Sequence, residues 1–191
     1  MTSDAAIYNP QRPPDNSVCR GSYDLGMETT ISEMTVGAWQ ARQIEKAARI
    51  LVDFVEATKE DRLRWRPSTE EASKTRSVLE QVGACVFANV RFRCYLLGET
   101  APAADAFEAF SSVKEAKEAL ESTADALAVE IRKLGSDDMM REVQTHRGPM
   151  PVALAIQIPL RDMVYHMGQI NMIQLLYGDM EFHSNEKFWT L

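Results

Sequence analysis

Asp162 and His166 stand four residues apart in the stretch L-R-D-M-V-Y-H-M-G-Q-I-N-M-I-Q-L-L-Y-G, which runs from Leu160 to Gly178. On a helix that spacing projects both side chains from one face, one turn above the other, as two ligands of one metal ion or two partners in proton transfer must stand. Leu160, Met163, Val164, Met167, Ile170, Ile173 and Leu176 recur beside them at helical spacing and place the pair at or near an apolar interior. Polar groups there need partners: either the two satisfy each other as a buried hydrogen-bonded pair, or they bind something. Gln169, whose amide must also be paired in an interior, either orients His166 or a ligand, or ties its helix to a neighbouring backbone. Tyr165 turns about 100° from His166, toward another helix or a subunit boundary.

The elements that must position this pair read as helices in a chain of 191 residues, a length that suits one domain with a core of its own. Apolar content of 45% and charged content of 26% are those of a globular protein. The net charge is −7 with acids and bases interspersed, so there is no basic patch of the kind phosphate backbones need, and nucleic acid is not an expected partner. Cys19, Cys85 and Cys94 are an odd set without metal-ligand spacing and read as reduced thiols of a cytoplasmic protein. Neither an export signal nor an uninterrupted apolar run long enough for a membrane span is visible, so no membrane partner is expected.

Residues 1–27, with Pro10, Pro13, Pro14, Gly21 and Gly26, read as an irregular arm whose Ile7, Tyr8, Val18, Tyr23 and Leu25 can lie along the domain. Residues 28–180 read as a helical domain. The first helix is expected from about Thr30 to Thr58, with Trp39, Ile44, Ala48, Leu51, Val52 and Val55 as its apolar stripe. Pro67 breaks the pattern. Ser77 followed by Glu80 is a capping box that starts a second helix, which Gly98 stops after Leu97. A short helix around Ala104 to Phe110 is expected before the third, from about Ser112 to Leu134, with Gly135 capping its end. Asp137 to Pro151 is either a short hairpin or an extended loop, and the last helix spans about Val152 to Tyr177, kinked or started by Pro159. Residues 181–191 form a short tail whose Phe182, Phe188 and Trp189 should pack back on the domain or meet another subunit. Four long amphipathic helices without a convincing sheet predict an all-α, antiparallel four-helix bundle.

Three stretches of the chain together resemble the DinB-like family of four-helix-bundle proteins, also described as YfiT-like metal-dependent hydrolases. They are L-R-W-R-P at Leu63 to Pro67, R-S-V-L-E-Q-V-G-A-C-V-F-A-N at Arg76 to Asn89 with L-L-G at Leu96 to Gly98, and H-M-G-Q-I at His166 to Ile170 with L-L-Y-G after it. The resemblance covers about Thr30 to Gly178. In this family the second helix carries a histidine and the fourth an H-x-x-x-H pair, which bind a divalent metal inside one end of the bundle. Only His166 keeps a histidine at these positions; the other member of the pair falls on Asp162 and the second-helix ligand on Ala84. Aspartate remains a competent ligand, whereas alanine ligates nothing. Glu80, one turn before Ala84, would complete a metal set of Glu80, Asp162 and His166, unless its carboxylate is held by the capping box; His146 or His183, both in loops, would be other sources.

The resemblance implies a metal-dependent transferase or hydrolase that uses zinc or nickel on a small molecule, with thiol-linked chemistry such as S-transfer or an isomerisation using a low-molecular-weight thiol. It also implies a homodimer. The alternative is a small-molecule binding or regulatory protein that keeps the pocket and has lost the metal, which Ala84 favours by removing a ligand and enlarging the space, with Met163, Met167 and Phe87 lining an apolar cleft. A third reading is a helical protein whose role is self-association through its aromatic tail and one helical face.

Overall fold

The protein is described by a computed structural model over residues 34–70, 75–103 and 110–184. The arm with Cys19, residues 104–109 of the short helix expected around Ala104 to Phe110, and Phe188 and Trp189 of the tail lie outside the described residues. Four long helices, α1 (Val36–Ala57), α2 (Val78–Leu97), α3 (Val113–Arg132) and α5 (Ile158–Leu176), carry most of the fold, with a single-turn α4 (Val152–Ala155) before the last. Each of the first three begins on a hydroxyl residue that accepts an otherwise orphaned backbone N–H: Thr35 from Ala38, Ser77 from Glu80 and Ser112 from Glu115. At Ser77 the capping box is complete, because Glu80 returns a carboxylate oxygen to the Ser77 N–H at 2.8 Å. Gly98 closes α2 in the left-handed conformation, φ 71°, and its N–H reaches the Cys94 and Tyr95 carbonyls.

Gly135 departs from expectation. It does not cap α3, which ends through Lys133; with φ −90° it starts a 3-10 turn at Ser136–Met140, its N–H donating to the Asp138 carboxylate at 2.8 Å. The purely helical reading is also corrected. The segment left open as hairpin or loop is an antiparallel hairpin of β1 (Glu142–Thr145) and β2 (Gly148–Pro151), with Val143 opposite Met150 and Thr145 opposite Gly148. Its two-residue turn is closed by Thr145, whose hydroxyl donates to the Gly148 carbonyl at 2.8 Å, and by Gly148 at φ 101°, a conformation that favours glycine.

Pro159 marks a true start rather than a bend within one helix. It lies in the first turn of α5, where its missing N–H leaves no hydrogen bond unmade. The Ile156 carbonyl at the break is served from another element: buried Gln40 of α1 donates to it at 3.0 Å. The helices pack α1 on α3, α3 on α2, α2 on α5 and α5 on α1, so all four share one core. Phe54, Ile44 and Leu51 of α1, Leu79 of α2, Leu120, Leu127 and Ile131 of α3, and Met163, Ile170 and Ile173 of α5 are all within 2% of complete burial. Val164 and Leu176, expected on the inward stripe of the last helix, instead face outward at 46% and 58% exposure; the buried stripe is narrower and follows Met163, Met167, Ile170 and Ile173.

Gly37 allows the first turn of α1 to meet the end of α3. A Cβ there would stand 2.4 Å from the Ile131 carbonyl oxygen and 2.7 Å from that of Leu134, both backbone atoms that cannot swing aside. Gly37→Ala is therefore expected to destabilise the fold by about 1–3 kcal/mol, although alanine is the better helix former, as urea denaturation will measure.

Candidate metal centre between the second and last helices

The packing of α2 on α5 brings two pairs of residues face to face, each pair four apart in sequence. Gln81 and Cys85 come from α2, Asp162 and His166 from α5. The sulfur of Cys85, a carboxylate oxygen of Asp162 and a ring nitrogen of His166 all lie within 4.8 Å of one another. The imidazole is 4% exposed and Cys85 is fully buried, while the Asp162 side chain keeps 31% of its surface open.

Hydrogen bonding sets the histidine's orientation. Nδ1 faces the side-chain oxygens of Gln81 and Gln169, the latter at 2.8 Å. Both are acceptors, so Nδ1 carries the hydrogen and donates to them. Nε2 is then left with a lone pair, turned toward Asp162 Oδ1 at 3.6 Å. Of the two roles open to Gln169, it is the orientation of His166 that the geometry shows.

Burial governs the charges. It lowers the basicity of His166, against the pull of Asp162 and the Gln169 bond, and Arg76 lowers it further. It raises the Asp162 carboxyl above the usual carboxylate range, opposed by His166 and Arg76, and lifts the Cys85 thiol well above its ordinary value, with the Asp162 charge adding to the rise. In the metal-free protein, then, His166 is neutral and Cys85 is a thiol at pH 7. A pH dependence follows. A depressed imidazole contributes stability that is present above its unfolded value, about pH 6.5, and is lost as pH falls through the folded one. Asp162 works in the opposite sense: its raised folded value makes its contribution fullest in acid and removes it as pH rises. Chelator-treated protein should therefore lose urea resistance as pH falls below about 6.5, His166→Gln should flatten that slope, and Asp162→Asn should be more stable than the wild type at neutral pH.

Glu80, expected as a third ligand, is engaged elsewhere. Its carboxylate closes the capping box at Ser77 and forms a two-pronged ion pair with Arg66, and it is not part of the cluster around His166. His146 sits in the hairpin turn against the Tyr95 hydroxyl at 2.9 Å, and His183 pairs with Asp179 at 2.9 Å, so neither stands with His166. Cys85 is the residue that sequence reasoning passed over, having read it only as a reduced thiol without metal-ligand spacing. The signal that points to it is the Gln81/Cys85 spacing, which matches the Asp162/His166 spacing on the facing helix.

Three donors of these types from two helices suit a divalent cation. A thiol, an imidazole with its lone pair on Nε2 and a carboxylate are a zinc-type set, and a bound cation would reverse the burial penalty on the Cys85 thiolate. His166 also borders a cavity of about 510 Å³, whose wall includes Arg76, Gln81, Tyr165, Gln169 and Met172. Tyr165, 62% exposed, stands at its rim and not against another helix.

A mostly helical chain that sets an acid and an imidazole of its last helix against a thiol of its second belongs among helical proteins with an interhelical, metal-capable centre. The chain is a member of the DinB superfamily, whose family profile matches residues 43–170. Among solved structures it is similar to a DinB-like protein, YjoA, from Bacillus subtilis, with a TM-score of 0.55, 12% identity, and coverage of 76% of this chain and 94% of that one. At that identity the likeness concerns the fold. No curated protein sequence matches the chain. No described helix is long and apolar enough to cross a membrane.

Proposed function

We propose that this chain is an antiparallel four-helix bundle of DinB type that holds a divalent cation, zinc or nickel, through Cys85, Asp162 and His166, and acts as a metal-dependent transferase or hydrolase on a small molecule in the adjoining cavity. The observation that carries this reading is the meeting of the three donors within 4.8 Å, one of which, His166, lines a cavity large enough for a small molecule. A cation held there supplies Lewis acidity and makes a bound water or thiol a nucleophile near neutral pH. Gln81 and Gln169 fix the ring of His166 and its tautomer, and so hold the Nε2 lone pair toward Asp162. Cys85, fully buried, serves as a ligand; substrate cannot reach it as a nucleophile.

Purified protein loaded with zinc and dialysed is expected to retain about one zinc per chain, and Cys85→Ala to retain far less. Zinc retention equal in the two proteins, or absent from both, contradicts the proposal. A second reading has an observation of its own: the cavity wall includes His166 and its two glutamines but neither Cys85 nor Asp162, and those glutamines satisfy Nδ1 with no metal present. It makes the chain a metal-independent small-molecule binder. Thermal stabilisation by small organic molecules but by neither zinc nor nickel selects it.

A further inference from the structure

We infer that the ligand of the His166 cavity is a small organic carboxylate with an apolar body, its anionic end held by Arg76 and Gln169. The inference rests on the reading of this cavity as a small-molecule site and adds the chemical class of what enters it. Arg76 is the one permanently charged side chain among the described residues of the wall, and it makes no ion pair within 4.0 Å among the described residues. The carboxylate in the first turn of the helix that begins just after it, Glu80 of α2, is held by Arg66 and Ser77 and does not neutralise it.

The remaining polar groups of the wall are arranged as donors. Because Gln169 presents its oxygen to His166 Nδ1, its Nε2 hydrogens lie at the other end of the amide, with no partner among the described residues. Gln81 is oriented likewise, and its Nε2 makes only a long contact, 3.5 Å, with the Arg76 carbonyl. The Tyr165 hydroxyl at the rim is open to solvent. A cation and amide donors with no carboxylate among the described residues of the wall recognise an acceptor-rich, negatively charged group, and one guanidinium with one amide matches the single charge of a carboxylate better than the double charge of a phosphate. Pro67, Met172 and Ile173 supply apolar surface in the same cavity for the rest of the molecule.

The probes are benzoate and hexanoate, each compared with its neutral amide, titrated into chelator-treated and zinc-loaded full-length protein and followed by NMR at the His166 ring and the Gln169 side-chain amide. Both carboxylates should perturb these signals saturably in either metal state, and each should bind about tenfold or more tightly than its amide. Arg76→Gln should remove about that advantage, while Arg147→Gln, on the hairpin turn outside the cavity wall, should leave it intact. Equal binding of acid and amide, an Arg76→Gln protein that binds benzoate as well as the wild type does, or no response from either acid overturns the inference. Binding that requires zinc and ignores Arg76 also overturns it, because the carboxylate is then a ligand of the metal. Failure of zinc to bind while Arg76-dependent carboxylate binding persists removes the metal reading alone and supports this one.

Discussion

Replacing His166 with alanine is expected to weaken zinc binding by at least about a hundredfold, measured by competition with a chromogenic chelator. The side chain supplies one of three donors and the only imidazole, and its lone pair needs no deprotonation to ligate while burial keeps the ring neutral. Cys85 must lose a proton to ligate and is disfavoured from doing so by burial and by Asp162. With the imidazole gone, the cation has an exposed-edge carboxylate and a reluctant thiol, too few to hold it against solvent. Gln81→Ala should act through the same ring with a smaller loss, about tenfold, because it frees the imidazole to turn without removing it. A His166→Ala protein that keeps its zinc affinity within a few-fold would place the ion elsewhere.

The largest loss of stability is expected at Phe54, where alanine should cost about 3–5 kcal/mol in urea denaturation. The ring is 1% exposed in the middle of α1, and Phe182 meets it edge-on with centroids 5.1 Å apart. Its backbone carbonyl anchors Gln174 of α5, whose amide donates to it at 2.8 Å and to the Thr58 hydroxyl at 3.1 Å. Truncating the ring therefore opens a void in the core and removes the surface on which Phe182 packs. Trp39→Ala on the same helix is the contrast: that ring is 41% exposed, and its loss should cost about 1 kcal/mol or less.

Helix positions were the most legible part of this chain because their signals are local. Ser77 and Glu80 mark the start of α2 and Gly98 its end by chemistry that does not depend on the rest of the fold. Gly135 misled because a glycine after a helix can equally well open the next turn, and here the Asp138 carboxylate settled the matter. The Asp162/His166 pair was legible for the same local reason as the caps. Its partner on α2 was not: the family-like position Ala84, with Glu80 one turn before it, belongs to a face rotated by one residue from the face that meets α5. One residue is about 100° on a helix, enough to replace a carboxylate bound to Arg66 with a glutamine and a thiol aimed at His166. That rotation is set by packing between helices far apart in sequence. The outward turn of Val164 and Leu176 has a similar origin, since a helix rich in apolar residues on several sides does not declare which side its neighbours will cover. The hairpin was legible only as a choice between two forms, because strands this short gain their order from pairing with each other.

X-ray absorption at the zinc edge of the reconstituted protein tests the proposed centre most directly. A cation held by Cys85, Asp162 and His166 should show one sulfur neighbour at about 2.3 Å with nitrogen and oxygen neighbours at about 2.0–2.2 Å, and the sulfur shell should vanish in Cys85→Ala. A zinc environment of oxygen and nitrogen alone in the wild-type protein, or a sulfur shell that survives loss of Cys85, would contradict it.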